Sequence, residues 1–140
     1  MLIYYIDDNN YYQLLNLLNK NIEKIDIYAT CYSFYPEMLL NDSLKQAFIN
    51  NIKLKTLKLH YFDISINDIV EIIQKNSSIC NLDLSKNKIK PNLKSLFDEL
   101  KCNTNITKLN INNISIEDTL ELLSLNEMIK NNINIIKLNI

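Results

Sequence analysis

A chain of 140 residues that is 47% hydrophobic and carries a formal charge of −1 has the composition of one ordinary soluble domain, with no electrostatic grip on nucleic acid. All 15 basic residues are lysine and glycine is absent, which removes arginine fingers, Walker A loops, dinucleotide fingerprints and nucleophile elbows. No run approaches the ~20 apolar residues of a membrane span.

Met1 to Ile6 is apolar, but it has no basic flank and runs directly into Asp7 and Asp8, so it makes a poor signal peptide. Three cysteines at irregular spacing fit reduced thiols better than a disulfide framework. The expected compartment is therefore the cytoplasm, or a host cytosol for a delivered effector. The sequons at Asn41, Asn76, Asn105 and Asn113 are read as chance.

An apolar signature, Φ-x-x-Φ-x-Φ, recurs five times along the chain. The copies are Ile22-Ile25-Ile27, Leu54-Leu57-Leu59, Ile79-Leu82-Leu84, Ile106-Leu109-Ile111 and Ile133-Ile136-Leu138, with starts 32, 25, 27 and 27 residues apart. Each copy predicts a short strand with one buried face, and the stretch behind it has helical spacing, as with Leu93, Leu96, Phe97 and Leu100. Pro91 suits the first helical position there. Ser65 with Asp68 and Ser115 with Asp118 place a hydroxyl cap and a carboxylate at two other helix starts. Asn19, Asn51, Asn76 and Asn103 each precede an opening residue by three, with Lys130-Asn131 in the fifth place. They are candidates for the left-handed helix ends that glycine usually supplies. Ile6 is expected to close a partial unit, 1–21, whose helix runs over about Tyr11 to Leu18. The whole is expected to be one domain, 1–140, with repeats starting near 22, 54, 79 and 106 and a terminal strand over 133–140.

The third unit reads Ile79, Leu82, Leu84, Asn87, Ile89, and resembles the leucine-rich repeat, Leu-x-x-Leu-x-Leu-x-x-Asn-x-Leu. A unit of about 27 residues with a full helix and an Asn-x-x-Φ junction is similar to the ribonuclease-inhibitor-like subclass. The resemblance implies an α/β solenoid, a short horseshoe with parallel strands on the concave face, helices on the convex face and ligands bound on the concave side. At the position of the family's asparagine ladder stand Thr30, Phe62, Asn87 and Ile114.

Residues between the buried leucines are expected to form three columns on the concave face. They are Lys24, Thr56, Asn81, Lys108, Ile135; Asp26, Lys58, Asp83, Asn110, Lys137; and Tyr28, His60, Ser85, Asn112, Asn139. The middle column is either a polar recognition strip or a mutually neutralising ladder of exposed pairs. The longest interval holds Tyr32-Ser33-Phe34-Tyr35-Pro36, so Tyr35 with Tyr28, His60 and Tyr61 is expected to form an aromatic contact rim or to cover an irregular gap. The lone histidine, His60, has no cysteine at a ligand spacing and reads as an exposed polar residue rather than a metal ligand. Cys31, Cys80 and Cys102 have no base partner, and the adjacent acidic pairs do not face one another.

No catalytic residue, cofactor or metal is expected. The predicted activity is non-enzymatic binding of a protein partner, through Tyr28, Tyr35, Lys58, His60, Tyr61, Asp83 and Asn110. One alternative is a segment of a longer repeat protein that forms homo-oligomers through uncapped ends. Another is a small-GTPase regulator, suggested by the fold alone.

Overall fold

The computed structural model describes residues 1–7, 10–20, 22–30, 38–90, 93–116 and 118–140. Their elements are β1 (Leu2–Ile6), α1 (Tyr11–Leu18), β2 (Lys24–Ala29), β3 (Met38–Leu39), α2 (Asp42–Asn50), β4 (Thr56–His60), β5 (Phe62–Ser65), α3 (Ile66–Lys75), β6 (Asn81–Asp83), β7 (Lys88–Lys90), α4 (Lys94–Cys102), β8 (Lys108–Asn110), α5 (Thr119–Asn131) and β9 (Lys137–Asn139). The fold is α/β, with five helices and two parallel sheets among the described residues. One sheet has the order β1-β2-β4-β6-β8-β9, the other β3-β5-β7. Both follow chain order, and each helix packs on the next from α1 to α5.

Alternation builds the inner side of the core, because successive strand side chains point to opposite faces. Ile25 and Ile27, Leu57 and Leu59, Leu82 and Leu84, and Leu109 and Ile111 are all buried. The helices answer at intervals of three or four, as with Ile66, Ile69, Ile72 and Ile73 of α3 or Leu96, Phe97 and Leu100 of α4. A single apolar cluster results.

Both ends depart from the sequence expectation. Leu2 pairs with Ile25 and Ile6 with Ala29, so Leu2–Ile6 is a full strand of the larger sheet rather than the closing turn of a partial unit. At the other end Lys137 pairs with Lys108 and Leu138 with Leu109, two residues from the expected register. The cause is Asn132. Its side chain, not that of Asn131, donates to the carbonyls of Leu100 and Asn103 and accepts from the amides of Asn134 and Ile135, so the apolar signature there is Ile135, Leu138, Ile140.

The junction asparagines act through their amides. Asn51 donates to the carbonyls of Leu18 and Ile22, and Asn76 to those of Phe48 and Asn51, at 2.6–3.3 Å. Asn51, Asn76, Asn103 and Asn132 all have negative φ, so none supplies a left-handed helix end. Left-handed backbone occurs instead at Tyr61, Lys86 and Asn113, each just past a strand of the larger sheet and each at φ between 62° and 65°. With no glycine to relieve it, each such position in a non-asparagine residue costs about 1–2 kcal/mol. Helix starts also differ: Ser65 makes no capping hydrogen bond, and Asp118, in a capping box with Glu121, caps α5 in place of Ser115. Pro91 lies outside the described residues.

On the helical side Lys45 holds three carboxylates, Asp68 at 2.9 Å and Asp42 and Glu71 at 3.0 Å. The hydrogen bond to Asp68, then those to Glu71 and Asp42, raise the Lys45 ammonium well above the ordinary lysine range. Lys75, then Lys45, holds the Glu71 carboxyl below its usual value of 4.5. A depressed carboxyl stabilises the fold above its unfolded pKa, and that contribution is lost as pH falls through the folded value. A raised ammonium contributes below its unfolded pKa, and its share is lost as pH rises through the folded value. Thermal melts of Lys45→Met should therefore show about 1 kcal/mol lost at pH 7 and a shallower decline than wild type between about pH 5 and 3. An unchanged acid limb would refute the assignment.

Candidate functional site

The face of the larger sheet turned away from the helices is built from cross-strand rows. Tyr5 of β1, Tyr28 of β2 and His60 of β4 are register partners, which places their rings side by side on adjacent strands. Tyr5 stacks on Tyr28 at 5.3 Å between centroids, and Tyr28 on His60 at 4.7 Å. The Tyr61 ring lies tilted at 6.4 Å from Tyr28, with the Lys86 ammonium 5.8 Å from its centre. Tyr5 and Tyr61 are 61% and 47% exposed, so the patch is open to solvent.

Beneath it sits Asp26, only 4% exposed. Lys58 approaches its Oδ2 at 3.4 Å and His60 Nε2 its Oδ1 at 3.2 Å. The second contact is an ion-pair distance without hydrogen-bond alignment, and Oδ1 is the one buried side-chain polar atom among the described residues that makes no hydrogen bond. His60 Nδ1 lies 3.0 Å from the Ser85 carbonyl, so both ring nitrogens face oxygen acceptors. His60 is therefore buried, at 6% exposure, and not the exposed residue expected, because Tyr28 covers its ring and Asp26 and Ser85 occupy its edge. Burial first, then the Asp26 charge, raises the Tyr28 phenol above its ordinary value.

The expected charge ladder forms only in part. Lys58 pairs with Asp26, while Asp83 accepts from the amide and hydroxyl of Ser85, at 3.0 and 2.7 Å, and from Asn110 Nδ2 at 3.0 Å. Asp83 and Asn110 are thus tied to each other. Tyr28, Lys58, His60, Tyr61, Asp83 and Asn110 share one face; Tyr35 lies outside the described residues. Tyr5 and Lys86 were not legible as members. Tyr5 becomes one only when Leu2–Ile6 is read as a strand, for which the alternation of Leu2, Tyr4 and Ile6 with Ile3 and Tyr5 was the available signal.

Past the strand ends a groove of ≈ 680 Å³ runs beside the aromatic patch, lined by Thr30, Tyr61, Phe62, Lys86, Asn87 and Asn113 among others. Its wall is fixed by Asn87, which donates to the carbonyls of Leu59 and Leu84 and accepts from the Phe62 amide. Three of its residues, Tyr61, Lys86 and Asn113, are the left-handed ones. Among the described residues no group of three histidine, cysteine or acidic side chains could hold a metal ion, and no helix is long and apolar enough to cross a membrane.

No family model and no curated protein matches the chain. Solved structures do. The fold is similar to one described as actin-binding site 2 of leiomodin-1, with a TM-score of 0.67 at 17% identity, covering 92% of this chain and 78% of that one. It is also similar to the tropomodulin C-terminal domain of Caenorhabditis elegans, with a TM-score of 0.59 at 14% identity, covering 92% and 81%. The likeness is one of fold.

These neighbours overturn the expectation of a ribonuclease-inhibitor-like leucine-rich repeat solenoid. What the chain shares with them is the α/β fold of the tropomodulin and leiomodin domains. The reason is physical. An apolar Φ-x-x-Φ-x-Φ followed by a helix is what any in-order parallel strand and helix unit needs to bury one strand face and one helix face, so it does not discriminate between families. At the ladder position only Asn87 supplies the amide; Thr30 instead uses its hydroxyl on the Ile6 carbonyl. Neither neighbour supports the small-GTPase reading.

Proposed function

We propose that the chain is a non-enzymatic protein-binding module, read as a single domain acting in the cytoplasm or a host cytosol. It grips its partner with the open sheet face and the aromatic rim of Tyr28 and Tyr61, backed by the buried His60, with Lys58, Asp83 and Asn110 as the polar floor. The observation that carries this is the stack of Tyr5, Tyr28 and His60 on three adjacent strands. Large rings fixed by a sheet lose little entropy on binding, and such aromatics are the usual energetic anchors of an interface. The leiomodin-1 structure is described as an actin-binding site, which makes actin the first partner to try. The test measures anisotropy of labelled monomeric actin against wild type and a Tyr28→Ala/Tyr61→Asn variant. Binding by wild type and its loss in the variant are expected; equal binding by both would end the assignment of this face.

A second reading, self-association end to end, is favoured by what the outer strands expose. Ile3 and Tyr5 stand out on β1, while Leu122 and Ile129 of α5 and Ile136 and Ile140 beside β9 are exposed at the other end of the sheet. Outer strands with free backbone groups and apolar flanks are ready to pair. Light scattering should then show mass rising with concentration for wild type and a monomer for Leu122→Lys/Ile129→Lys. A monomer at every concentration would exclude this second reading.

A further inference from the structure

The sheet face has a sign. It carries Lys24, Lys58, Lys108 and Lys137 against Asp26 and Asp83, in a chain whose overall charge is −1. Both aspartates are engaged within the face, Asp26 through its Oδ2 by Lys58 and the Tyr28 hydroxyl and Asp83 by Ser85 and Asn110. Lys24, Lys108 and Lys137 are exposed and make no ion pair among the described residues. The true register sharpens this, for Lys137 is the direct cross-strand partner of Lys108 rather than of Asn110. Like charges directly opposite on neighbouring strands destabilise a sheet, and an anion laid between them removes the repulsion.

We infer that the partner segment received by this face is an extended acidic polypeptide. It crosses the strands along the Lys24, Lys108 and Lys137 row and then turns along β2, where Tyr28 lies four residues from Lys24, about 13 Å, to set an apolar or aromatic side chain on Tyr5 and Tyr28. Lys24 and Lys108 lie on strands three steps apart, about 14 Å, the span of about four residues of extended chain. Protein is favoured over nucleic acid because the face keeps two carboxylates and has no arginine, while a polyphosphate needs a denser basic surface. The inference rests on the binding-module reading and adds the chemistry of what is bound.

The test uses fluorescein-labelled peptides of about 12 residues containing one tyrosine: one rich in glutamate and aspartate, one with the matching amides, one with lysines. A single-stranded DNA oligonucleotide of equal charge is run beside them. Anisotropy is read at about 50 and 300 mM salt. The acidic peptide should bind at least about tenfold more tightly than the neutral one and weaken with salt. Lys24→Glu/Lys108→Glu/Lys137→Glu, all at exposed positions, should lose the acidic peptide by a similar factor and gain the basic one, with its melting temperature within a few degrees of wild type. Neutral peptide binding as well as acidic, unchanged acidic binding by the triple variant, or DNA binding more tightly than peptide would each overturn the inference. The first of these leaves the binding module standing, whereas a failure of the Tyr28/Tyr61 comparison with actin strikes that module itself.

Discussion

Replacing Asn76 by alanine is expected to cost about 3 kcal/mol in a urea titration, more than any other single polar change in the junctions. Asn76 is 3% exposed, and its amide donates to the Phe48 and Asn51 carbonyls while its oxygen accepts from the Ser78 amide and hydroxyl. Alanine removes the side-chain donor from the Phe48 carbonyl and the acceptor from the Ser78 amide, while the Asn51 carbonyl keeps the Leu54 amide, and each buried group left unsatisfied costs about 1–3 kcal/mol. Asn132 makes the same kinds of bond at the outer end of the sheet, where it is only half-buried and water can replace the lost amide. Asn132→Ala should cost about 1 kcal/mol. Equal losses at the two positions would show that burial does not control the strength of these junctions.

The combined Tyr28→Ala/Tyr61→Asn change is expected to weaken partner binding on the order of 100-fold to 1,000-fold, read by anisotropy. Central aromatic anchors are worth about 2 kcal/mol or more each, and every 1.4 kcal/mol is about tenfold in affinity. Asparagine is chosen at 61 because the backbone there has φ 65°, which asparagine tolerates and alanine does not. Tyr61 is half exposed, so the loss of stability should be small beside the loss of binding. A variant that melts early would point to packing; one that melts normally and binds normally would clear the patch of any role.

Much of the fold was legible in residues where two periodicities agree. Leu57 and Leu59 alternate, Ile69, Ile72 and Ile73 recur at helical spacing, and α1 spans Tyr11–Leu18 as the pattern predicts. Legibility failed where one local signal had two physical realisations. Asn131 and Asn132 are adjacent, and only the three-dimensional position of the Leu100 and Asn103 carbonyls selects the second. In a chain without glycine the junction asparagines suggest left-handed helix ends, whereas their amides do the joining and Tyr61, Lys86 and Asn113 take the left-handed turns. The burial of His60 depends on a ring stacked from another strand, which no linear pattern reports. Family was the least legible property, since burying a strand and a helix in sequence demands the same apolar spacing from unrelated chains.

The junction amides have one more consequence, and it concerns ageing. A side-chain amide that loses ammonia becomes a carboxylate, and asparagine is among the residues most prone to thermal damage. At Asn76 that change would turn two donated hydrogen bonds into a negative charge pressed against the Phe48 and Asn51 carbonyls. The same few atoms that join its units are protected while the fold lasts, so at elevated temperature a mass gain of about one dalton at residue 76 should accompany local opening rather than precede it.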